Sequence, residues 1–402
     1  MKLRKVTVVL IAAMLFTGLA GFEPSDTVYD KCRAQEYVEA QCEGFVGEGA
    51  GKAENVILII GDGMGIGQTY AGRVYLKGPE DHFRWEKLPN KGLVTTCAIG
   101  HITDSAASGT AIATGRKTSV GTISSEPGLG PNPYQSIVEL IDQRKATGLV
   151  TNTELWDATP AVFAAHAPRR TQSRQIAYEM VGRGLNVMLG GGSESFTTSG
   201  PDGTAIERAG KLGYKVVDTA SGLEKIDPAS TDKLLGLFAD GSMEYEVRRK
   251  DDTTEPHLSD MAEKALSILS RDDRGFFLMI EGARIDHSGH SMDLERVVHE
   301  MKEFDRTVGL ALDFAEENPN TLVIITADHE TGGTEIEEKD YQKGDMVDVK
   351  WTSSILGIHA NHSSQRVPIY GTGPNAAAIR THMDNTEVFC LMKNALDVTA
   401  PE

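Results

Sequence analysis

Short runs of apolar residues that do not alternate with polar ones constrain the fold of this chain more than any other feature. The clearest runs are 55–60, 276–280 and 321–326, and weaker ones lie at 148–150 and 187–189. Apolar runs of this length fit strands that are covered by other elements on both faces. Strands of this kind are typical of parallel sheets, so we predict a parallel sheet at the centre of the fold.

Helical patterns lie between these runs. Apolar residues recur there at the spacing of one helix face, as at Leu258, Met261 and Ala265. The predicted helices are 134–145, 171–183, 258–270 and 291–316. Strands that alternate with helices predict an α/β fold, a three-layer sandwich with a central, mainly parallel β-sheet flanked by helices.

An acidic residue directly follows or closely follows three of the predicted strands: Asp62, Glu281 and Asp328. The carboxyl ends of parallel strands share one edge of a sheet, where ligands bind. Carboxylates gathered there repel each other unless cations lie between them. The alternative is three independent turn residues, because Asp beside Gly is common in turns. That alternative explains Asp62 better than it explains Glu281.

Further side chains of metal-ligand type accompany these acids. Asp286 and His290 are four residues apart, so one helical turn directs both at a single ion. More carboxylate and imidazole groups follow in the chain: Asp328, His329, His359 and His362. Carboxylate with imidazole suits Zn²⁺, and carboxylate with hydroxyl oxygen suits Mg²⁺. Any one of these histidines, taken alone, fits a structural role, but the joint pattern favours metal.

A candidate nucleophile lies in the small-residue segment 103–111. Its polar start followed by alanines predicts the first turn of a helix, where backbone N–H groups favour phosphate. Ser105 is placed there, and a simple helix-capping serine is the alternative. The chain shows no convincing Ser-His-Asp group or Gly-x-Ser-x-Gly turn to activate it. A metal ion that binds the serine oxygen would lower its pKa instead.

The N-terminus has the layout of an export signal. A basic start at 2–5 precedes an apolar stretch at 6–15, which is short for a membrane span, and small residues follow at 18–20. An uncleaved anchor is the alternative, and no other run suits a bilayer. We predict a signal peptide at 1–20, a lead-in segment at 21–52 and one domain at 53–402 with a short insertion or flap at 334–358. The mature protein is expected to be exported, periplasmic or extracellular, with no stable membrane span.

Charge excludes one class of partner. The formal net charge is −18, and loss of residues 1–20, which carry three positive charges, leaves −21. A protein this acidic is a poor general binder of nucleic acid or anionic lipid. We therefore expect no nucleic-acid binding.

The cysteines allow more than one arrangement. In an exported protein, Cys32 and Cys42 are spaced to close a small loop. Cys97 and Cys390 either pair or remain buried thiols. Their spacing does not resemble a zinc site, so none is assigned to metal.

The ordered motifs resemble those of the alkaline phosphatases, from about residue 55 to the C-terminal region. The matching blocks are Gly-Asp-Gly-Met-Gly at 61–65, Thr-Asp-Ser-Ala-Ala-Ser at 103–108, Asp-Ala-Thr-Pro-Ala at 157–161, Glu-Gly-Ala-Arg-Ile-Asp-His at 281–287 and Ala-Asp-His-Glu at 327–330. The resemblance implies a homodimeric enzyme that hydrolyses small-molecule phosphate monoesters to an alcohol and inorganic phosphate. It implies a covalent phosphoserine at Ser105, with two Zn²⁺ and one Mg²⁺ per subunit.

The resemblance also implies roles by position. It assigns three groups of metal ligands: Asp286, His290 and His362 for a first zinc; Asp62, Asp328 and His329, with Ser105, for a second; and Asp62, Thr159 and Glu281, with Asp157 directly or through water, for a third ion, normally Mg²⁺. His362 is preferred over His359 because it lies five residues before Val367, the spacing expected in the family.

Other side chains are implied to act beside the metals. Arg170 is expected to grip phosphate, with its neighbour Arg169 as a rival, and Asp104 is expected to orient the arginine. His287, beside Asp157, is expected to alter the water shell and metal preference of the third ion, or else to make a supporting hydrogen bond.

Three other functions are alternatives for this sequence. A sulfatase needs a Cys/Ser-x-Pro-x-Arg setting, which residues 103–111 lack. A phosphodiesterase commonly uses Thr and lacks an arginine placed for a dianionic end group. A non-catalytic exported phosphate or metal binder needs no nucleophile, so Ser105 argues against it.

Overall fold

The computed structural model describes residues 30–47, 51–128, 132–141, 144–200, 202–250 and 253–397. The predicted signal peptide and the start of the lead-in segment lie outside the described residues. Within these ranges, no helix combines the length and the apolarity that a bilayer span requires.

The predicted alternation of strands and helices is confirmed. The strands are β1 (Asn55–Gly61), β2 (Asn90–Thr95), β3 (Ala146–Glu154), β4 (Val187–Gly191), β5 (Lys215–Val217), β6 (Leu234–Leu237), β7 (Phe276–Gly282), β8 (Thr321–Thr326), β9 (Glu330–Thr331), β10 (Thr334–Ile336), β11 (Val349–Trp351), β12 (Ser354–Ile355), β13 (His359–Ala360), β14 (His362–Ser363), β15 (Val367–Thr372) and β16 (His382–Asp384).

Helices connect these strands. They are α1 (Ile66–Leu76), α2 (Ser105–Thr114), α3 (Ile137–Leu140), α4 (Ala158–Ala164), α5 (Ser173–Arg183), α6 (Ser193–Thr197), α7 (Ala205–Lys211), α8 (Ala220–Glu224), α9 (Leu258–Leu269), α10 (Arg284–His290), α11 (Leu294–Glu317) and α12 (Asn385–Ala395), with 3₁₀ turns at Trp85–Lys87, Pro228–Ser230, Glu246–Arg248 and Ala376–Ala378.

One ten-stranded sheet forms the centre of the fold, in the order β16-β2-β15-β8-β1-β7-β3-β4-β6-β5. Every described pairing in it is parallel except those of β15, which runs antiparallel to β2 and β8. The central strands β7 and β8 are buried along their whole length, as expected for strands covered on both faces. The predicted sandwich with a mainly parallel sheet is therefore confirmed.

The strand register brings the acidic residues to one edge. In β1, Ile60 lies opposite Glu281 of β7 on one side and opposite Thr326 of β8 on the other. Asp62 and Asp328 each follow two residues later. Because these strands run in the same direction, all three carboxylates leave the sheet at the same end.

Some sequence expectations are corrected. Of the helix predicted at 134–145, the described residues form only the single turn of α3, and residues 142 and 143 lie outside the described residues. The helix predicted at 291–316 is preceded by a separate short one, α10. Strands β2, β5, β6 and β16 were not predicted; β5 is a three-residue, largely exposed edge strand without an apolar run.

The suggested Cys32–Cys42 loop is wrong. Cys32 is bonded to Cys97, and Cys42 is bonded to Cys390 in α12, across sequence separations of 65 and 348 residues. The lead-in segment crosses the domain at this point, since the carbonyl of Cys42 accepts a hydrogen bond from Asn394 Nδ2 at 2.8 Å. Both disulfides thus attach that segment to the core instead of closing a loop within it.

The polar segment 334–358 forms part of the packed structure. Strands β10 and β11 pair as an antiparallel hairpin. Tyr341 and Val347 between them are buried in a small apolar cluster with Ala71 and Val74 of α1 and with Val298 of α11. These apolar residues are too widely spaced in the sequence to form a recognisable run.

Candidate active site

The first group of side chains at the sheet edge contains Asp62, Asp328 and His329, all buried. His329 Nε2 lies 3.2 Å from Asp328 Oδ2 and 3.5 Å from Asp62 Oδ1. Both of these carboxylate oxygens are buried without a hydrogen-bond partner. Unpartnered buried oxygens are costly, so a cation among these atoms fits the arrangement.

Burial and neighbouring charges also shift the pKa values of these side chains. Burial and the carboxylates of Asp328 and Asp286 raise the pKa of Asp62 well above its usual range. Burial, with the charge of Asp286, raises the pKa of Asp328 to about 7. Burial lowers the pKa of His329 well below its usual range, so the ring is neutral, as a metal ligand must be.

Ser105 is the first residue of α2, and it is buried. Its Oγ lies 3.2 Å from His329 Nε2, so the hydroxyl reaches the first group. Asp104 precedes it as the N-terminal cap, and its carboxylate accepts the backbone N–H of Ala107 at 3.0 Å. The capping role that was the alternative for Ser105 therefore belongs to Asp104. The Ser105 hydroxyl is therefore not used as the helix cap.

The second group contains Asp286 and His290 of α10 and His362 of β14. Asp286 Oδ2 lies 3.3 Å from His290 Nε2, and Asp286 Oδ1 lies 3.7 Å from His362 Nε2. The spacing of four residues on one helix accounts for the pair Asp286 and His290, as predicted. Burial alone would raise the pKa of Asp286, but His290 and His362 lower it well below its usual range, so the carboxylate is ionised.

The orientation of both histidines leaves their Nε2 atoms for a cation. His290 Nδ1 donates to the carbonyl of Ala360 at 2.5 Å, and His362 Nδ1 donates to the carbonyl of Thr103 at 2.9 Å. The two Nε2 atoms face each other at 3.1 Å. A proton or a metal ion shared by the two nitrogen atoms fits this position. Histidines that bind metal commonly donate a hydrogen bond from their other ring nitrogen, as these two do.

His359 is outside this group. Its exposed ring stacks on His290, with centroids 4.7 Å apart and planes at 8°. Among the described residues, the group of close ligand atoms includes His362 and excludes His359. The geometry thus agrees with the preference for His362.

Glu281, Thr159 and Asp157 form the third predicted set. Glu281 is buried, and its Oε2 accepts the Thr151 hydroxyl at 2.6 Å. Burial raises the pKa of Glu281 to about 8, and the charge of Asp157 adds to the effect. Thr159 is buried beside Glu281, and its Oγ1 makes no hydrogen bond of normal geometry. An acid and a free hydroxyl oxygen suit a hard cation such as Mg²⁺.

Arg170 connects this set to the nucleophile segment. Its Nη1 donates to Asp104 Oδ2 at 3.1 Å, and its Nη2 donates to Asp157 Oδ1 at 2.9 Å. Burial opposes the charged form, but these two carboxylates outweigh it and raise the pKa of Arg170. Arg169 is exposed. The geometry therefore favours Arg170 of the two predicted arginines.

His287 lies beside the third set on α10. Its Nδ1 accepts a hydrogen bond from Arg284 Nη1 at 2.7 Å. Burial lowers its pKa, with a smaller opposing effect from the charge of Asp157, so the ring is neutral. Its direct hydrogen-bond partner is thus Arg284.

Sequence reasoning assigned no individual role to two residues that contact the candidate site. Thr331 in β9 places its hydroxyl against Asp286 and His329. Gly63 donates its backbone N–H to Asp328 Oδ1 at 3.3 Å. Thr331 directly follows the 327–330 block, and this adjacency was the signal available in the sequence.

A further group, Glu246, His257 and Glu303, has atoms placed like metal ligands. Its charges are already matched within the protein. His257 Nδ1 lies 2.8 Å from Glu246 Oε2, and Arg249 Nε lies 2.9 Å from Glu246 Oε1. The hydrogen bond to Glu246 raises the pKa of His257, so this group is an ion-pair network.

Two carboxylate–imidazole groups and one buried hydroxyl therefore meet at one edge of a parallel sheet, with an arginine beside them. Buried acids so close together call for cations, and cations with an arginine can neutralise a dianionic group. On an α/β sandwich these features fit a metal-dependent hydrolase of phosphoric monoesters.

Comparison with known proteins gives the family. The family model described as alkaline phosphatase matches residues 53–345. The alkaline phosphatase of Escherichia fergusonii is 32% identical over 408 residues, covering 86% of this chain and 86% of that protein. The structure of alkaline phosphatase from the Antarctic bacterium TAB5 has a TM-score of 0.77 at 30% identity, covering 87% of this chain and 100% of that one. The chain belongs to the alkaline phosphatase family, and it hydrolyses phosphate monoesters.

A related solved structure bears on the metals. It is a histidine-to-aspartate mutant of the TAB5 enzyme, described as having Mg bound in the M3 site. It has a TM-score of 0.74 at 29% identity, and it covers 87% of this chain and 99% of that one. Members of this family thus bind metal.

Proposed function

We propose that this enzyme transfers phosphate to Ser105 and then to water. The observation that carries the proposal is the contact of 3.2 Å between Ser105 Oγ and His329 Nε2, which places the hydroxyl at a candidate metal group. The helix N-terminus adds backbone N–H groups that favour an anion at the same place.

The ligand assignment follows the three sets of side chains. Asp286, His290 and His362 hold a first Zn²⁺; Asp62, Asp328, His329 and Ser105 hold a second; and Asp62, Asp157, Thr159 and Glu281 hold a Mg²⁺. These ions, when bound, supply the positive charge that favours ionised oxygen at the reacting atoms. The unpartnered oxygens of Asp62, Asp328 and Thr159 support this assignment.

The chain's own residues then perform two displacements. The ionised Ser105 Oγ attacks phosphorus, the bond to the ester oxygen breaks, and the alcohol leaves with a proton from solvent. A water oxygen next attacks the phosphoserine, the Ser105–phosphorus bond breaks, and Ser105 regains a proton as inorganic phosphate forms. Two inversions at phosphorus give overall retention.

Arg170 holds the non-bridging oxygens of the phosphoryl group in this scheme. Its contacts with Asp104 and Asp157 use two of the five guanidinium donors, which leaves others for phosphate. Asp104 positions Arg170 and caps the helix that carries Ser105. Asp104 thus holds in place both Arg170 and the helix that carries Ser105, the two parts of the site that contact the phosphoryl group.

Export and a homodimer are part of the proposal. Two disulfides among the described residues support an oxidising compartment, since disulfides are rare in the cytosol. The signal peptide at 1–20 and the lead-in at 21–52 are proposed with them. His287 is proposed to affect the third ion through its neighbour Asp157.

Trapping the phosphoserine tests the proposal. Wild-type enzyme quenched in acid after mixing with a phosphate monoester is expected to gain one phosphoryl group at Ser105, measured by peptide mass spectrometry. Ser105→Ala is expected to lose that label and most of its kcat. Ser108→Ala, three residues along the same helix, is the control and should still be labelled at Ser105.

Labelling that survives in Ser105→Ala would reject the nucleophile. Rates on a monoester, a diester and a sulfate ester complete the test. A diester or a sulfate ester hydrolysed faster than the monoester would contradict the assigned role of Arg170.

A further inference from the structure

Thr331 lies between the two carboxylate–imidazole groups. Its hydroxyl donates to Asp286 Oδ1 and also lies 3.3 Å from His329 Nδ1. The residue is completely buried. One hydroxyl thus contacts a ligand from each of the two proposed zinc sites.

The number of protons on the Thr331 hydroxyl determines which group donates in its contacts with Asp286 and His329. A threonine hydroxyl has one proton, and an ionised carboxylate can only accept. The Thr331 hydroxyl donates to the Asp286 carboxylate, so its single proton is used there. Towards His329 the hydroxyl oxygen must therefore accept, and His329 Nδ1 must carry the ring proton.

This tautomer leaves the other ring nitrogen free. His329 Nε2 then presents its lone pair to Asp62, Asp328 and Ser105, which lie 3.2 to 3.5 Å away. A metal ion at the second site needs that lone pair. In the opposite tautomer a proton would occupy the position of the ion.

The equivalent contacts of the other two histidines are made by the backbone. Carbonyls of Ala360 and Thr103 accept the Nδ1 protons of His290 and His362. Of these three histidines, His329 alone has a side chain as its Nδ1 partner among the described contacts. Only its tautomer can therefore be released by a side-chain substitution.

We infer that Thr331 is a positioning residue that holds His329 in the Nδ1–H tautomer and ties it to Asp286. The inference rests on the proposed zinc sites. Loss of this hydroxyl frees the His329 ring to rotate or change tautomer, and it loosens Asp286 at the same time. The two proposed zinc sites are thereby coupled through one side chain.

The backbone around Thr331 is held independently of the hydroxyl. Its N–H donates to the carbonyl of Gly63 at 3.2 Å, its carbonyl accepts Gln68 Nε2 at 2.5 Å, and it pairs with His362 in the β9–β14 ladder. Its methyl group packs near Gly289. Thr331→Val keeps the shape and the methyl group while it removes the hydroxyl.

The test compares Thr331→Val with wild type and with Thr331→Ser, which keeps the hydroxyl. Each purified holoenzyme is mixed with excess chelator, and the release of bound zinc is followed over time. Removal of a partner to a metal ligand typically weakens metal binding by about 10- to 100-fold, so Thr331→Val should release zinc faster by about that factor. Thr331→Ser should stay close to wild type.

Thr334→Val is the matched control. Its hydroxyl is also buried and hydrogen-bonds to Glu330 Oε1 at 2.9 Å, but none of its described contacts reaches a proposed metal ligand. It should destabilise the metal-free protein in thermal unfolding and leave zinc release near the wild-type rate.

Several outcomes would overturn the inference. Zinc release from Thr331→Val at the wild-type rate would do so. Equal acceleration in Thr331→Ser, with normal unfolding of its metal-free form, would show that the hydroxyl is not the cause. Wild-type protein that holds no zinc at either group would instead refute the proposed function, so the two failures are distinguishable.

Discussion

Arg170 bridges Asp104 and Asp157, and this fixes its guanidinium beside the helix that begins with Ser105. Its backbone N–H also donates to the carbonyl of Gly121 at 2.7 Å. Arg169, one residue earlier, is exposed. Neighbouring residues with the same side chain thus have different environments, which the sequence does not reveal.

Substitution of these arginines tests the difference. A hydrogen bond to a charged group contributes about 1.5–3 kcal/mol, so Arg170→Ala should raise the Ki for inorganic phosphate by about 10- to 100-fold. Arg169→Ala is the control and should leave Ki unchanged. Equal effects of the two substitutions, measured in competition with a chromogenic monoester, would contradict the assignment.

Most of the candidate ligand side chains could be named from the sequence because their types and spacing carry the information. Asp286 and His290 lie one helical turn apart, and Asp328 and His329 directly follow a buried strand. The position of Thr331 directly after the 327–330 block did not reveal its role, since a threonine has no distinctive spacing. Its role depends on a contact with Asp286, 45 residues away in the chain.

At the scale of elements, the turn after β1 determines how closely two segments approach. Gly63 has a φ of +70°, and a Cβ placed on it would lie 2.7 Å from Asp286 Cα and 2.9 Å from Asp286 Oδ1. A side chain there would both strain the turn and push α10 away from the sheet edge. The close approach of Asp286 and the positive φ therefore explain why position 63 of the 61–65 block is a glycine.

Gly63→Ala is expected to reduce kcat/KM by about 100-fold, because displacement of the proposed ligand Asp286 by about 1 Å misplaces the reacting groups. Gly100→Ala is a matched control. Its φ is +69°, but a Cβ there has no neighbour within 4 Å. Both variants should lose about 1–2 kcal/mol of stability from backbone strain, measured by denaturant unfolding. An equal loss of activity in both would contradict the steric argument.

The long, buried elements were predictable from sequence, and the short ones were not. Strands β1, β7 and β8 have continuous apolar runs, and α9 and α11 keep one apolar face. In contrast, β5 and β16 are only three residues long and lie at the two edges of the sheet. Pairing with a neighbouring strand, and not the local pattern, makes them strands.

At the scale of the whole molecule, the parallel sheet gathers distant residues at one edge. The register of β1 with β7 and β8 brings Asp62, Glu281 and Asp328 together, although the strands that carry them are far apart in sequence. This gathering of acidic residues was predictable in outline because the carboxyl ends of parallel strands lie at the same edge of a sheet. The disulfide partners were not, because sequence does not show that the lead-in segment crosses the domain.

The net charge of the molecule also bears on function. The chain carries −18, yet its substrate is an anion. Divalent ions at the proposed sites, together with Arg170, would reverse the local sign of charge at the sheet edge, so that an acidic protein can attract a phosphate monoester.

We propose that side chains from distant segments form paired cation sites around Ser105. Anomalous X-ray diffraction from crystals of the purified enzyme, recorded on both sides of the zinc absorption edge, tests it most directly. We expect one zinc peak among Asp286, His290 and His362, and a second among Asp62, Asp328 and His329 in contact with Ser105 Oγ. Absence of zinc from both positions in active, fully folded enzyme would contradict it.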